Sequence, residues 1–470
     1  MLWNPDERLK IQPAFVLAGV ALAELMRSSD VERGPPGRAR AAQFREKAQS
    51  ALELAMAGGK GAWKDASLAE AALILVLYES SAHPEYHLDR VASALRVLDD
   101  IVQKLSILTL DGDDRDAAQF TAGSVPVVTI PPPAQRHTIQ YAHEQPTRAC
   151  KCSSIPGSPP PDHNISRSAP LRWDPAWSAA EVRAEECRRL AWGALSAASG
   201  FLVQCVAFDR EVPVLELSNP ANYALLFPNE TMERVSPAYC GPGAPSPKES
   251  VWALYCRSLL LWNFCNRLLS HAPHLRRPPQ QQLSENSDAL QEAWNEAQAI
   301  EDGLEMHVCN YETGVAYLCQ EYVYKYAPAL ILMQGLTREI STSSGPLFNR
   351  RQAREWIDYQ ERVINSVKLA AVTYQLRARG SQGTHHELTR RPFQVAWFLN
   401  QFSVCMQIWT HDTGLIEAVE LAKDFLVVVD VLNTLWPCRS NHVQCNALRE
   451  RLTRACAAVG VNPPPPRPTR

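Results

Sequence analysis

Few residues in this chain have the type and spacing that chemistry needs. "DGDDRD" (111–116) sets four aspartates within six positions. Carboxylates three or four apart on one helix face can share divalent cations, as in all-α metal-dependent lyases and terpene cyclases. Here the cluster follows a helix, lies beside Gly112, and faces no second acidic motif with the Asn, Ser and Glu spacing of such enzymes. It therefore reads as a solvated charge run at a helix end. His83 and His87 are four apart in "SAHPEYHLD", a metal-ligand spacing on a continuous helix, but Pro84 breaks that helix. "THHEL" carries His385, His386 and Glu387 without the second histidine of a zinc-protease helix. Both pairs read as loop and cap residues. "GGKGAW" (58–63) lacks the leading glycine and the Ser or Thr of a phosphate loop, and reads as a helix stop. Neither a G-x-S-x-G elbow nor a dinucleotide fingerprint after a strand is present. No residue is assigned to catalysis, to a cofactor or to a metal, and the expectation is a protein that is not an enzyme. Two alternatives stay open: a helical lyase or cyclase centred on "DGDDRD", and a helical scaffold without a ligand.

Composition narrows the field further. The chain has 470 residues, 46% apolar and 21% charged, with a net charge of −3. That suits a soluble protein able to bury a large core. It carries no clustered Lys and Arg to neutralise nucleic-acid phosphates. The longest apolar runs, "AALILVLY" (71–78) and "APALILM" (327–333), fall short of the roughly 20 residues of a bilayer span. The opening "MLWNPDERLK" has acids where a secretion signal has a cationic flank. A soluble, intracellular protein with no membrane partner is expected. Thirteen cysteines are scattered, mostly on helical apolar faces such as Cys256 and Cys265, and no C-x2-C pair occurs. Cys150 and Cys152 suit neither a zinc knuckle nor a redox dithiol. Inert thiols in a reducing compartment follow, which leaves the sequons at Asn164 and Asn229 unused.

The elements that must position any site are helices. Apolar residues recur at three- and four-residue spacing over 14–28, 37–59, 65–83 and 86–108, the third capped by Asp65 or by Ser67 with Glu70. Between Pro126 and Pro175 stand eleven prolines among Ser and Gly, so 111–172 is expected to be a disordered insert. Helices resume over 179–207, then an extended loop "REVPVLELSNPANYALLFPNE", then helices near 248–271, 285–306, 311–340, 349–379, 388–411, 413–436 and 442–458. In 349–379 the residues Trp356, Tyr359, Val363, Val367, Ala370 and Tyr374 draw one stripe. Strand signals reduce to "VPVVTI" (125–130) and "FLVVVDVL" (425–432), the second flanked by helix formers. The expected fold is all-α: a multi-helix bundle of residues 1–110 and 173–460 in one domain, a long Pro-rich insert, and a Pro-rich tail over 461–470.

One helix raises its own question. "RAEECRRLAWGALSAASGF" (183–201) places Arg188 and Arg189 directly before Trp192 and a run of small apolar residues. Glu185 lies three and four residues before the two arginines and can pair with both. Either the arginine stems line the border of an amphipathic helix, or carboxylates hold an Arg fork beneath "NPANYALLFP" and pin that loop. The residues alone leave the two readings even.

"EECRRLAWGAL", followed by a Pro-containing loop ending "NYALLFPNE", resembles the signature of the fungal-specific transcription factor middle homology region. That region is the helical regulatory domain of fungal binuclear zinc-cluster transcription factors. "LKIQPAFVLAGVALAELMRSS" resembles the family's opening helix, and "SLAEAALILVLYESSAHPEYHLDRVASALRVLDDIVQKLSI" its next helices in a basidiomycete-like form. The resemblance covers roughly residues 10–270, and weakly the remaining helices. It implies an all-α regulatory domain in the nucleus, whose partners are the transcriptional machinery or co-regulators. A homodimer and a small effector in the helical core are compatible with it. Arg188, Arg189 and Trp192 become the motif's structural residues. Two departures stand out. The aspartate the family often has six residues after the tryptophan is Ala198 here. The family's six-cysteine module, which binds zinc and reads DNA, is not found before the regulatory helices. The expectation is a lost module or a truncated start, with zinc and DNA contacts only through that missing part.

Overall fold

The computed structural model describes residues 11–58, 66–130, 173–208, 210–235, 246–270 and 387–464, with separate positions inside 289–303 and 350–371. The chain divides into two compact units, each assembled from distant stretches. One takes Met1–Leu105, Gly200–Leu215 and Phe348–Arg470; the other takes Ser106–Ser199 and Glu216–Leu347.

In the first unit, helix α1 (Pro13–Met26) begins on a proline, whose fixed φ suits a first helical turn. It buries Ala14, Ala18, Ala21 and Leu25, one stripe of mostly small residues that lets a neighbouring helix approach closely. Helix α2 (Gly34–Ala57) returns after a short turn and ends at Gly58, the stop read from the glycine cluster. At Gly37 the approach is closest: a Cβ there would lie 2.4 Å from Ser28 Oγ and 2.5 Å from Arg33 Cβ. Arg38 locks the turn by donating to the Ser28 carbonyl at 2.8 Å and to Asp30 at 2.7 Å. Helix α3 spans Ala66–Glu79, so Ser67 lies inside its first turn, and Asp65 is outside the described residues. Helix α4 (Leu88–Lys104) starts at His87, whose ring accepts from the Asp89 amide at 3.3 Å. That is the cap role expected of His87.

The same unit closes with three helices, α8 (Gln394–His411), α9 (Ile416–Leu435) and α10 (Arg439–Val459). "FLVVVDVL" is helical, as its flanks suggested, and its valines 428, 429 and 431 are buried. Burial overrides the β-branched preference here. Gly460, at φ 71°, ends α10 in the left-handed cap that glycine supplies without strain. Backbone bonds tie early and late chain together: Asp30 N–H to the Leu435 carbonyl and Ala82 N–H to the Pro392 carbonyl. Within 350–371 the buried described positions are Ala353, Trp356, Ile357, Gln360, Ile364 and Ala371, while Val367 is only half-buried. Of the expected stripe Trp356 is buried, while Tyr359, Val363 and Ala370 lie outside the described residues. Tyr374, like all of 311–340 and the His385–His386 doublet, lies outside the described residues.

The second unit holds residues 179–199 of α5 (Ala179–Ala207), the short helix α6 (Glu230–Glu233) and α7 (Val251–Ser270). The bounds of α5 agree with those read from the sequence. Two short strands, β1 (Ala118–Gln119) and β2 (Ala224–Leu225), pair antiparallel. They correct the expected insert: residues 111–130 belong to this unit, with Ala118, Val125 and Val128 buried. Proline content marked the segment as unable to bury apolar surface, but its first twenty residues carry the partners of α5. "VPVVTI" lies within it without forming a strand. Residues 131–172 are outside the described residues. Among the described residues no helix is long and apolar enough to cross a membrane.

Candidate functional site

The arginine question of α5 is answered by the residues its face meets. Ser178 caps the helix in a reciprocal box: its amide donates to Glu181 at 2.7 Å, and the Glu181 amide donates to its hydroxyl at 3.3 Å. The Ser178 amide and hydroxyl, both donating to the carboxylate, hold the Glu181 carboxyl below its usual range. Two turns on, Arg188 forms a two-pronged bond to Asp111, Nε to Oδ2 at 2.9 Å and Nη2 to Oδ1 at 2.7 Å. Asp111 also accepts from the Leu226 amide at 2.9 Å, and its own amide donates to the Ala224 carbonyl at 3.1 Å. Burial alone would push Arg188 down, but the Asp111 bonds and charge, with Glu185, raise its pKa.

Arg189 turns the other way. It donates to Glu185 at 2.9 Å and to the Asn229 side-chain carbonyl at 2.7 Å, and its guanidinium lies 3.8 Å from the centre of the Trp173 ring. Glu185, fully buried, also accepts from the Asn229 amide at 2.9 Å. Trp192 donates its indole N–H to the Leu226 carbonyl at 2.9 Å and stacks on Tyr223 and Phe227, both with ring centres 5.2 Å away. The loop's last turn is closed by Glu230, which accepts from the Phe227 amide at 2.8 Å and pairs with Lys248 at 3.1 Å. One helix face thus grips "NYALLFPNE" through amides, carbonyls and rings together. This is the pinned-loop arrangement, not the border one.

Of the residues singled out in the sequence, Arg188, Arg189 and Trp192 converge on one loop. Asp111, Asn229 and Glu230 complete the clamp and were missed. Asp111 is 77 positions from Arg188, a separation that no local pattern reports. Asn229 sits at φ 65°, a left-handed conformation asparagine tolerates, and is buried with both its amide and its side chain engaged. The sequon there is closed to a glycan in the folded chain.

"DGDDRD" is not a solvated charge run throughout. Asp111 is buried, and Arg234 reaches Asp114 at 3.0 Å and Asp116 at 3.5 Å. Guanidinium groups engage Asp111, Asp114 and Asp116, while Asp113 is exposed, and no group of three or more metal-ligating side chains gathers among the described residues. His83 is buried between Tyr78 and Tyr86, with ring centres at 5.0 and 6.2 Å, and lies 3.7 Å from Glu79. It is a packed core histidine. The described cysteines are free thiols, and only Cys187 is not fully buried. Burial pushes the Cys205 thiol up to about 12, which suppresses the thiolate that reacts. No family model, curated protein or solved structure matches the chain.

Proposed function

We propose that this chain is a regulatory domain of the fungal zinc-cluster transcription factor kind, controlling transcription in the nucleus through contacts with co-regulators or the transcriptional machinery. DNA and zinc would be handled by a separate module. The reading rests on the resemblance of "EECRRLAWGAL" and "NYALLFPNE", and one observation carries it further. The two stretches that bear the resemblance bind each other, through Arg189 to Asn229 and Trp192 to Leu226. A signature that is the two halves of one clamp is what a conformational motif would look like, whereas scattered matches would have no reason to meet. Of the carboxylates of the competing lyase reading, Asp111, Asp114 and Asp116 are engaged by arginines, which does not favour it.

The test is a tethering assay. The chain fused to an unrelated DNA-binding module should raise or lower transcription of a reporter carrying that module's site. Arg189→Ala, at equal abundance, should weaken the effect. A nuclear, abundant fusion that leaves the reporter unmoved would overturn the proposal. Magnesium-dependent turnover of a prenyl diphosphate by the purified chain, lost in Asp113→Ala, would replace it with the enzyme reading.

A further inference from the structure

The clamp contains one carboxyl without a counter-charge. Glu233, at the end of α6, buries its Oε2 with no hydrogen-bond partner. It faces Glu185 of α5, Glu230 one turn earlier on its own helix, and the Ser250 hydroxyl at the start of α7. The cations around it are engaged elsewhere: Lys248 with Glu230, Arg189 with Glu185 and Asn229, Arg188 with Asp111, and Arg234 with Asp114 and Asp116. Glu249, beside Ser250, accepts from the Ser246 amide. Three glutamates therefore share a buried corner beside the loop: Glu185 and Glu230 are paired with cations, whereas Glu233 has the Ser250 hydroxyl and no ion pair.

We propose that Glu233 is a proton-loaded latch: the 223–230 loop is locked while this carboxyl keeps its proton and loosens as the proton is lost. A buried acid beside two carboxylates favours its neutral form. Burial, with the charges of Glu230 and Glu185 adding and Ser250 opposing, pushes Glu233 up to about 8. When the loop opens, the group is wetted and returns toward the ordinary glutamate value near ~4.3. Opening then releases a proton at every pH between these limits. Sign follows directly: the locked state is fully favoured below the ordinary range, is eroded as pH rises, and levels off above about 8. The latch thus works across neutral pH. It stands on the clamp geometry and does not depend on the transcription reading.

Amide hydrogen exchange of the full chain tests it, comparing wild type with Glu233→Gln at pH 6 and pH 8. Taking the ratio of the two proteins at each pH cancels the intrinsic pH dependence of exchange. The amides of Leu226, Phe227 and Asn229 donate to Asp111, Glu230 and Glu185 and report opening. The wild-type to variant ratio in the 223–230 peptide should grow with pH, up to about tenfold per unit. An equal ratio at both values overturns the proposal. Should Glu233→Gln not fold, the wild type alone decides through its α9 peptides as internal reference. Loop exchange must then accelerate more steeply with pH than theirs, and a parallel rise sinks the latch.

Discussion

At the scale of single residues, the clamp distinguishes charges that hold the loop from charges that decorate the surface. Arg189 connects Glu185, Asn229 and Trp173, and all of these lose a partner if it goes. Arg189→Ala leaves the buried Glu185 carboxylate with fewer donors, so we expect a loss of about 3 kcal/mol, read as a lower midpoint in urea unfolding. An unchanged midpoint would mean that the clamp carries no stability. His83 gives a separate prediction, in the first unit. Burial, outweighing the attraction of Glu79, lowers it to about 4 from an ordinary 6.5. Its neutral form therefore contributes fully above pH 6.5, and that contribution is lost as pH falls toward 4. His83→Phe keeps a ring between Tyr78 and Tyr86 and removes the titration. The variant's stability should fall less than wild type's between pH 7 and pH 4.5, by about 2 kcal/mol.

At the scale of elements, most of the helical layout was legible because amphipathic spacing and caps are local. The bounds of α5, the glycine stop after α2 and the His87 cap were all readable from neighbouring residues. Two features were not. The stretch 111–130 was assigned to the insert by its proline-rich continuation, yet its value lies in Asp111, whose partners are in α5 and the later loop. Pairings across that much chain leave no periodic trace. In 350–371 the unreadable feature is Gln360, a polar residue in a fully buried place that an apolar pattern would not assign. Close approach between elements is also invisible to pattern, and Gly37 exposes it. Gly37→Ala would drive a methyl into Ser28 and the Arg33 stem, so the α1–α2 turn must shift. We expect a cost of about 1–3 kcal/mol by thermal unfolding. Gly19, whose surroundings are open within 4 Å, should lose nothing on substitution by Ala and serves as the control.

For the whole molecule, the division into two units matters more than the number of helices. The first unit takes its beginning, its middle and its end from three separated stretches of chain. The Tyr86 hydroxyl donates to Gln204 at 2.7 Å, and the Trp436 indole to the Leu388 carbonyl at 3.2 Å, both inside that unit. A fragment of residues 1–110 keeps the packing of its four helices on one another but loses its ties to later chain, Asp30 to Leu435, Ala82 to Pro392 and Tyr86 to Gln204 among them. Expressed alone it should melt at a lower temperature than the full chain, followed by near-ultraviolet circular dichroism, and an equal midpoint would contradict this. The same weaving sets a timetable for biosynthesis. A ribosome adding roughly 5–20 residues per second needs more than ten seconds to travel from the fourth helix to the closing ones. Throughout that interval the earliest helices can pack on one another but lack the later residues they are tied to, Leu435 and Pro392 among them.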